Sequence, residues 1–183
     1  MFSMNEMSKV HIIRPSTQFS TADMQVTCTT VNFSLSTASE LHYPARVIFL
    51  ASEDGEDFAI KPWDDDCQIG VENSYEFFDT SVKPVPKKIT IRDKKFAQAL
   101  RRTLGWSDKV RRKAYGLFEP DFNLIYFNLS HAEIPTQGGT RRRNALMISD
   151  YPKYTNVMHR MKPLVLALPA ANAEEVKIGT TCG

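Results

Sequence analysis

Apolar and polar positions alternate through Val26-Thr27-Cys28-Thr29-Thr30-Val31-Asn32-Phe33, and the many β-branched side chains there predict a strand over 26 to 33. Ser34 is placed to cap a brief helix, in which Leu35, Ala38 and Leu41 share one face. After Pro44 two β-rich runs, ARVIFLAS and DFAIKPW, flank Glu53-Asp54-Gly55-Glu56, an Asp-Gly turn that signals a hairpin.

The same order returns further along. Ile89-Thr90-Ile91 reads as a strand with both isoleucines on one face, and Asp93 can cap a helix running to Leu104. Phe96, Ala99, Leu100 and Leu104 form its apolar stripe, and Gly105 sits where a helix-terminating glycine belongs. Lys94, Lys95, Gln98, Arg101 and Arg102 fall on the remaining faces. KVRRKAYGLF, a turn at Glu119-Pro120-Asp121 and FNLIYFNL then make a second hairpin. Strand, helix, strand, turn, strand thus occurs twice, which points to a diverged internal repeat.

These patterns predict a mainly β protein with short helices (α+β). Its parts are an N-terminal arm (1–25) with a possible strand at Val10 to Ile13, a first unit (26–63), an acidic, Pro-containing connector (64–88), a second, basic unit (89–134) and a C-terminal extension (135–183). Tyr75, Phe77 and Phe78 are expected to anchor the connector. In the extension, Leu164 to Leu168, bounded by Pro163 and Pro169, reads as one short buried strand.

Charge changes the picture more than composition does. The net charge of +2 over 183 residues conceals two opposed blocks. Residues 52 to 79 carry ten acidic side chains against Lys61, while residues 83 to 113 carry twelve basic ones against Asp93 and Asp108. The basic block suits phosphate binding, with Lys94, Lys95, Arg101 and Arg102 on a helix and Arg92, Arg111, Arg112 and Lys113 around it. A solvated helix face is the plainer alternative. A third reading pairs the basic block with the acidic one, within the chain or between copies, in an assembly module. Arg141-Arg142-Arg143, beside Gly138-Gly139, is either a flexible arm reaching nucleic acid or a solvated loop. Trp106 either stacks on a base or packs into the core.

Enzyme chemistry has little support. The four histidines are isolated, and no HExxH, GxxxxGK[ST] or GxGxxG occurs. Asp64-Asp65-Asp66 lacks the ligand spacing of a calcium loop, and Cys28, Cys67 and Cys182 lack zinc spacing. The expectation is a non-catalytic protein without metal or cofactor. No apolar run approaches membrane-spanning length and no leader pattern opens the chain, so a cytoplasmic protein with no membrane partner is expected.

Ile89-Thr90-Ile91, the run Ala99-Leu100-Arg101-Arg102-Thr103-Leu104-Gly105, Asp108-Lys109-Val110 and Leu124-Ile125-Tyr126-Phe127 together resemble the AbrB/SpoVT/MazE-type swapped-hairpin domain. About 40 residues carry the likeness, with a fainter match across 31 to 63. Arg92 stands where that family usually has proline, the preceding Gly-Arg is absent, and 106 to 118 is long. The resemblance implies a small interlocked β-barrel in which the helix's double arginine, here Arg101 and Arg102, lies on a DNA-binding surface. A tandem pair within one chain would close the barrel internally and make a homo-oligomer optional. The expected function is DNA binding, as in a transcriptional regulator; the alternative is a protein-protein interaction module, antitoxin-like or regulating a nucleic-acid-binding partner.

Overall fold

The structure, a computed structural model, describes residues 22–64, 69–135 and 151–164. Its strands are β1 (Asp23–Val26), β2 (Val31–Ser34), β3 (Arg46–Ala51), β4 (Asp57–Pro62), β5 (Tyr75–Glu76), β6 (Lys88–Ile91), β7 (Arg112–Glu119), β8 (Leu124–Asn128) and β9 (Lys162–Pro163). Among the described residues three short α-helices accompany them: α1 (Leu35–Glu40), α2 (Lys94–Thr103) and α3 (Tyr154–Val157). The strands form an antiparallel sheet in the order β5-β3-β4-β8-β7-β1-β2-β6, with β9 added beside β3.

The sheet curls into a nearly closed barrel because its core is aromatic. Phe33 of β2 lies near one end of the strand order and Phe49 of β3 near the other, yet their rings stack with centroids 5.9 Å apart. Phe77 meets Phe33 edge-on at 5.6 Å, and Phe58 and Phe127 complete the cluster. Phe96 of α2 stacks on Phe49 at 4.9 Å, so the helix plugs the barrel through its apolar face. Such offset and edge-on pairs add to what burial of their area already contributes. Phe77 and Phe78 are buried, as their anchoring role in the connector requires.

The alternation at 26 to 33 does not make one strand. Thr27 Oγ1 accepts from the N–H groups of Thr29 and Thr30 at 3.2 and 2.9 Å, and that local turn breaks the run into β1 and β2. A threonine hydroxyl competing for backbone donors is a turn device that residue periodicity does not register. β1 also begins inside the expected arm. It lies between β2 and β7, pairing with both, so the residues from Asp23 onward are integral to the sheet. The strand expected at Val10 to Ile13 and most of the one at 164 to 168 lie outside the described residues.

Both helix starts follow the sequence, by different means. Asp93 Oδ1 accepts from the Phe96 N–H at 2.9 Å, capping α2. Ser34 occupies the same place before α1, but its hydroxyl accepts from the Asp23 N–H at 3.0 Å and ties the helix start to β1.

Every residue of β8, Leu-Ile-Tyr-Phe-Asn, is buried. Ile125 and Phe127 face the barrel interior, while Leu124 and Tyr126 join Ala59, Tyr151, Tyr154 and Val157 in a second apolar cluster on the opposite face. Residues 151–164 therefore strap the outside of the barrel. β9 holds the end of the strap on β3, with Leu50 opposite Pro163 and the Leu164 N–H donating to the Phe49 carbonyl at 2.8 Å. Among the described residues no helix is long and apolar enough to cross a membrane.

Candidate nucleic-acid interface

α2 is amphipathic in the way its spacing predicts. Phe96, Ala97 and Leu100 are buried, with Ala97 taking the interior place expected of Ala99. At 100° per residue Lys94, Lys95, Gln98 and Arg102 share an arc of about a quarter turn on the outer side, and all four are exposed. Among the described residues neither lysine nor Arg102 forms an ion pair. Arg92 before the helix and Arg111 after it are likewise exposed and free of ion pairs in that set.

Arg101 does not join this stripe. It is 5% exposed, and its guanidinium is spent on the segment that follows the helix. Nη1 donates to the Val110 carbonyl at 2.9 Å, while Nη2 donates to the carbonyls of Trp106 and Asp108 and pairs with Asp108 Oδ1 at 3.2 Å. Gly105, at φ +65°, turns the chain sharply enough for residues 106–110 to wrap around this side chain. The equal treatment of Arg101 and Arg102 suggested by the double arginine is therefore corrected: one is an internal clamp and its neighbour faces solvent.

Arg112 and Lys113 are also engaged within the chain. Arg112 pairs with Asp108 Oδ2 at 2.5 Å, and its guanidinium lies 5.7 Å from the centre of the Trp106 ring. Lys113 pairs with Asp23 at 3.1 Å and lies 5.0 Å from the Tyr115 ring. Arg141, Arg142 and Arg143 lie outside the described residues.

Beyond the C-terminal end of α2 the surface opens into a cleft of about 570 Å³. Gln98, Arg101 and Arg102 form one side, residues 105–109 another, and Cys28 from the β1–β2 turn a third. Trp106 contributes the aromatic wall while also packing against the core cluster. Some removal from water acts upward on Asp108, but its hydrogen bonds from Arg112, the Val110 N–H and Arg101 prevail and hold its carboxyl below the ordinary range. Gln98, Lys109 and Cys28 were not singled out by their residue types. The available signal was the long segment between α2 and β7, whose length is what allows it to loop out and enclose space.

The acidic block finds its partners elsewhere. Glu53 pairs with Lys162 at 2.8 Å, Asp54 and Asp57 with Arg160, and Glu76 with Arg46. Among the described residues no ion pair joins residues 52–79 to the basic block. Nor does any group of three His, Cys, Asp or Glu side chains there come together as metal ligands. Asp65 and Asp66 lie outside the described residues.

Comparison with family models, with curated proteins and with solved structures found no match.

Proposed function

We propose that this chain is a non-catalytic, cytoplasmic DNA-binding protein, most simply a transcriptional regulator, which grips phosphates through the outer face of α2. The observation that carries this is the stripe Lys94, Lys95 and Arg102, flanked by Arg92 and Arg111: five exposed cations, none of them in an ion pair among the described residues. Uncompensated cations on one face raise the local potential and can displace counterions condensed on DNA.

The proposal includes the AbrB-like arrangement of two units in a single chain. Its support is topological. β2-α1-β3-β4 and β6-α2-β7-β8 share an order, β2 pairs antiparallel with β6 so that Asn32 faces Thr90, and β4 pairs antiparallel with β8 so that Ala59 faces Tyr126. Those are the pairings that a pseudo-two-fold relation demands. α1, Leu-Ser-Thr-Ala-Ser-Glu, has no basic residue, so the DNA face belongs to the second unit alone.

The test is salt-dependent binding to mixed-sequence duplex DNA. Wild type should bind at low salt, and the K94A/K95A/R102A variant should bind at least tenfold more weakly with a shallower salt dependence, each lost phosphate contact removing about 0.9 from the slope. Failure of the wild type to bind at low salt overturns the reading. The assembly alternative calls for a particle mass that falls as salt rises, which light scattering measures on the same samples.

A further inference from the structure

We infer that the cleft beyond α2 receives an unpaired base of a DNA strand whose phosphates lie along the helix, an inference that rests on the DNA-binding reading and names its substrate class. Gln98 and Arg102 belong both to the exposed stripe and to the cleft wall, so a strand following the stripe is led directly into the cleft. Its volume of about 570 Å³ lies in the range of small-molecule sites.

The distribution of charge separates phosphate from base. Arg102 and Lys109, exposed at the rim, have no ion-pair partner among the described residues. Asp108, itself exposed, is shared by Arg101 and Arg112 and offsets part of their charge. Arg102 and Lys109 therefore suit a phosphate, while the rest of the lining offers an aromatic ring, a Gln98 amide and polar groups of both signs to an uncharged base.

Trp106 is fixed in place at the cleft. One part of it packs on the core, and Arg112, itself fixed by Asp108, lies over the ring at 5.7 Å. A basic track ending on a fixed aromatic surface is the combination by which single strands are bound without sequence readout. A base inside a duplex cannot enter a concavity without leaving its stack, and that costs free energy which an already unpaired base does not owe. The substrate class is thus single-stranded or locally opened DNA.

The experiment measures binding of the full chain, by fluorescence anisotropy, to three 12-mers: oligo-dT, an abasic deoxyribose-phosphate strand and a blunt duplex. Oligo-dT should bind about tenfold more tightly than the abasic strand. Trp106→Ala should abolish that margin, and Trp106→Phe should restore most of it. Because Trp106 also packs on the core, Ser107→Phe, an exposed position that fills the cleft, should remove the margin independently. Equal binding of oligo-dT and the abasic strand, or a margin that survives both Trp106→Ala and Ser107→Phe, overturns the inference. If all three forms bind equally with steep salt dependence, the base cleft fails and the phosphate reading stands. If none binds, both fail.

Discussion

Arg101 donates to the Val110 carbonyl at 2.9 Å, across nine residues of chain, and so fastens the loop after α2 to the helix that precedes it. Arg102, next in sequence, points to solvent. Arg101→Ala should therefore destabilise the fold by about 1.5–3 kcal/mol, because the part-buried carbonyl contacts of the loop and Asp108 lose a charged donor. Arg102→Ala should change stability by no more than about 0.5 kcal/mol, its effect falling instead on the proposed DNA binding. Urea denaturation of both variants checks the contrast; equal stability losses would refute it.

Asp57 is fully buried where the strap crosses the barrel. The Tyr126 hydroxyl donates to its Oδ1 at 2.6 Å, and Arg160 pairs with its Oδ2. Tyr126→Phe should cost about 1–3 kcal/mol by removing a donor from a buried carboxylate. Arg160→Ala should loosen residues 151–164 selectively, since Arg160 is the strap's own charge on Asp57. Hydrogen exchange should then speed up in the strap well before it does in β7 and β8, and uniform acceleration would count against this account.

Gly116 lies where a Cβ would come within 2.4 Å of Ile125 Cγ2 and 2.8 Å of a Phe127 ring carbon. Both side chains belong to the core and neither can simply swing into solvent. Gly116→Ala should cost about 1–3 kcal/mol by overpacking. A melting temperature equal to wild type would show that the β7–β8 pair is looser than described.

Asp108 titrates below the ordinary carboxylate range, so the sign of its contribution is set. Its stabilising effect is complete above the unfolded value of about 3.9 and is lost as pH falls through the lower folded value. The stability difference between wild type and Asp108→Asn should be constant from about pH 5 to 8 and shrink below about pH 4. Thermal melts across that range decide it, and a difference that grows on acidification would contradict the assignment.

Much of the fold was legible because local rules agreed with the tertiary outcome. The Glu53 to Glu56 turn, the Asp93 cap, Gly105 at the helix end and the hairpin around Pro120 all depend on neighbours close in sequence. The Thr27 turn escaped because a hydroxyl accepting two backbone N–H groups looks, by residue type, like any strand threonine. The strap escaped for a different reason. Tyr151, Tyr154 and Arg160 acquire meaning only from Tyr126 and Asp57, residues remote along the chain.

Sequence by itself determined the mainly β character, the two hairpins, the basic amphipathic helix and the segregation of charge, since each follows from period, turn chemistry or counting. Tertiary structure alone decided which charges are available. Helical spacing cannot distinguish Arg101 from Arg102 as outward cations, because the difference is made by residues 106–110 folding back after Gly105. Nor can it reveal the cleft, whose walls come from three separate stretches of chain. A guanidinium is a clamp or a contact according to which carbonyls reach it first, and that depends on packing that no local pattern encodes.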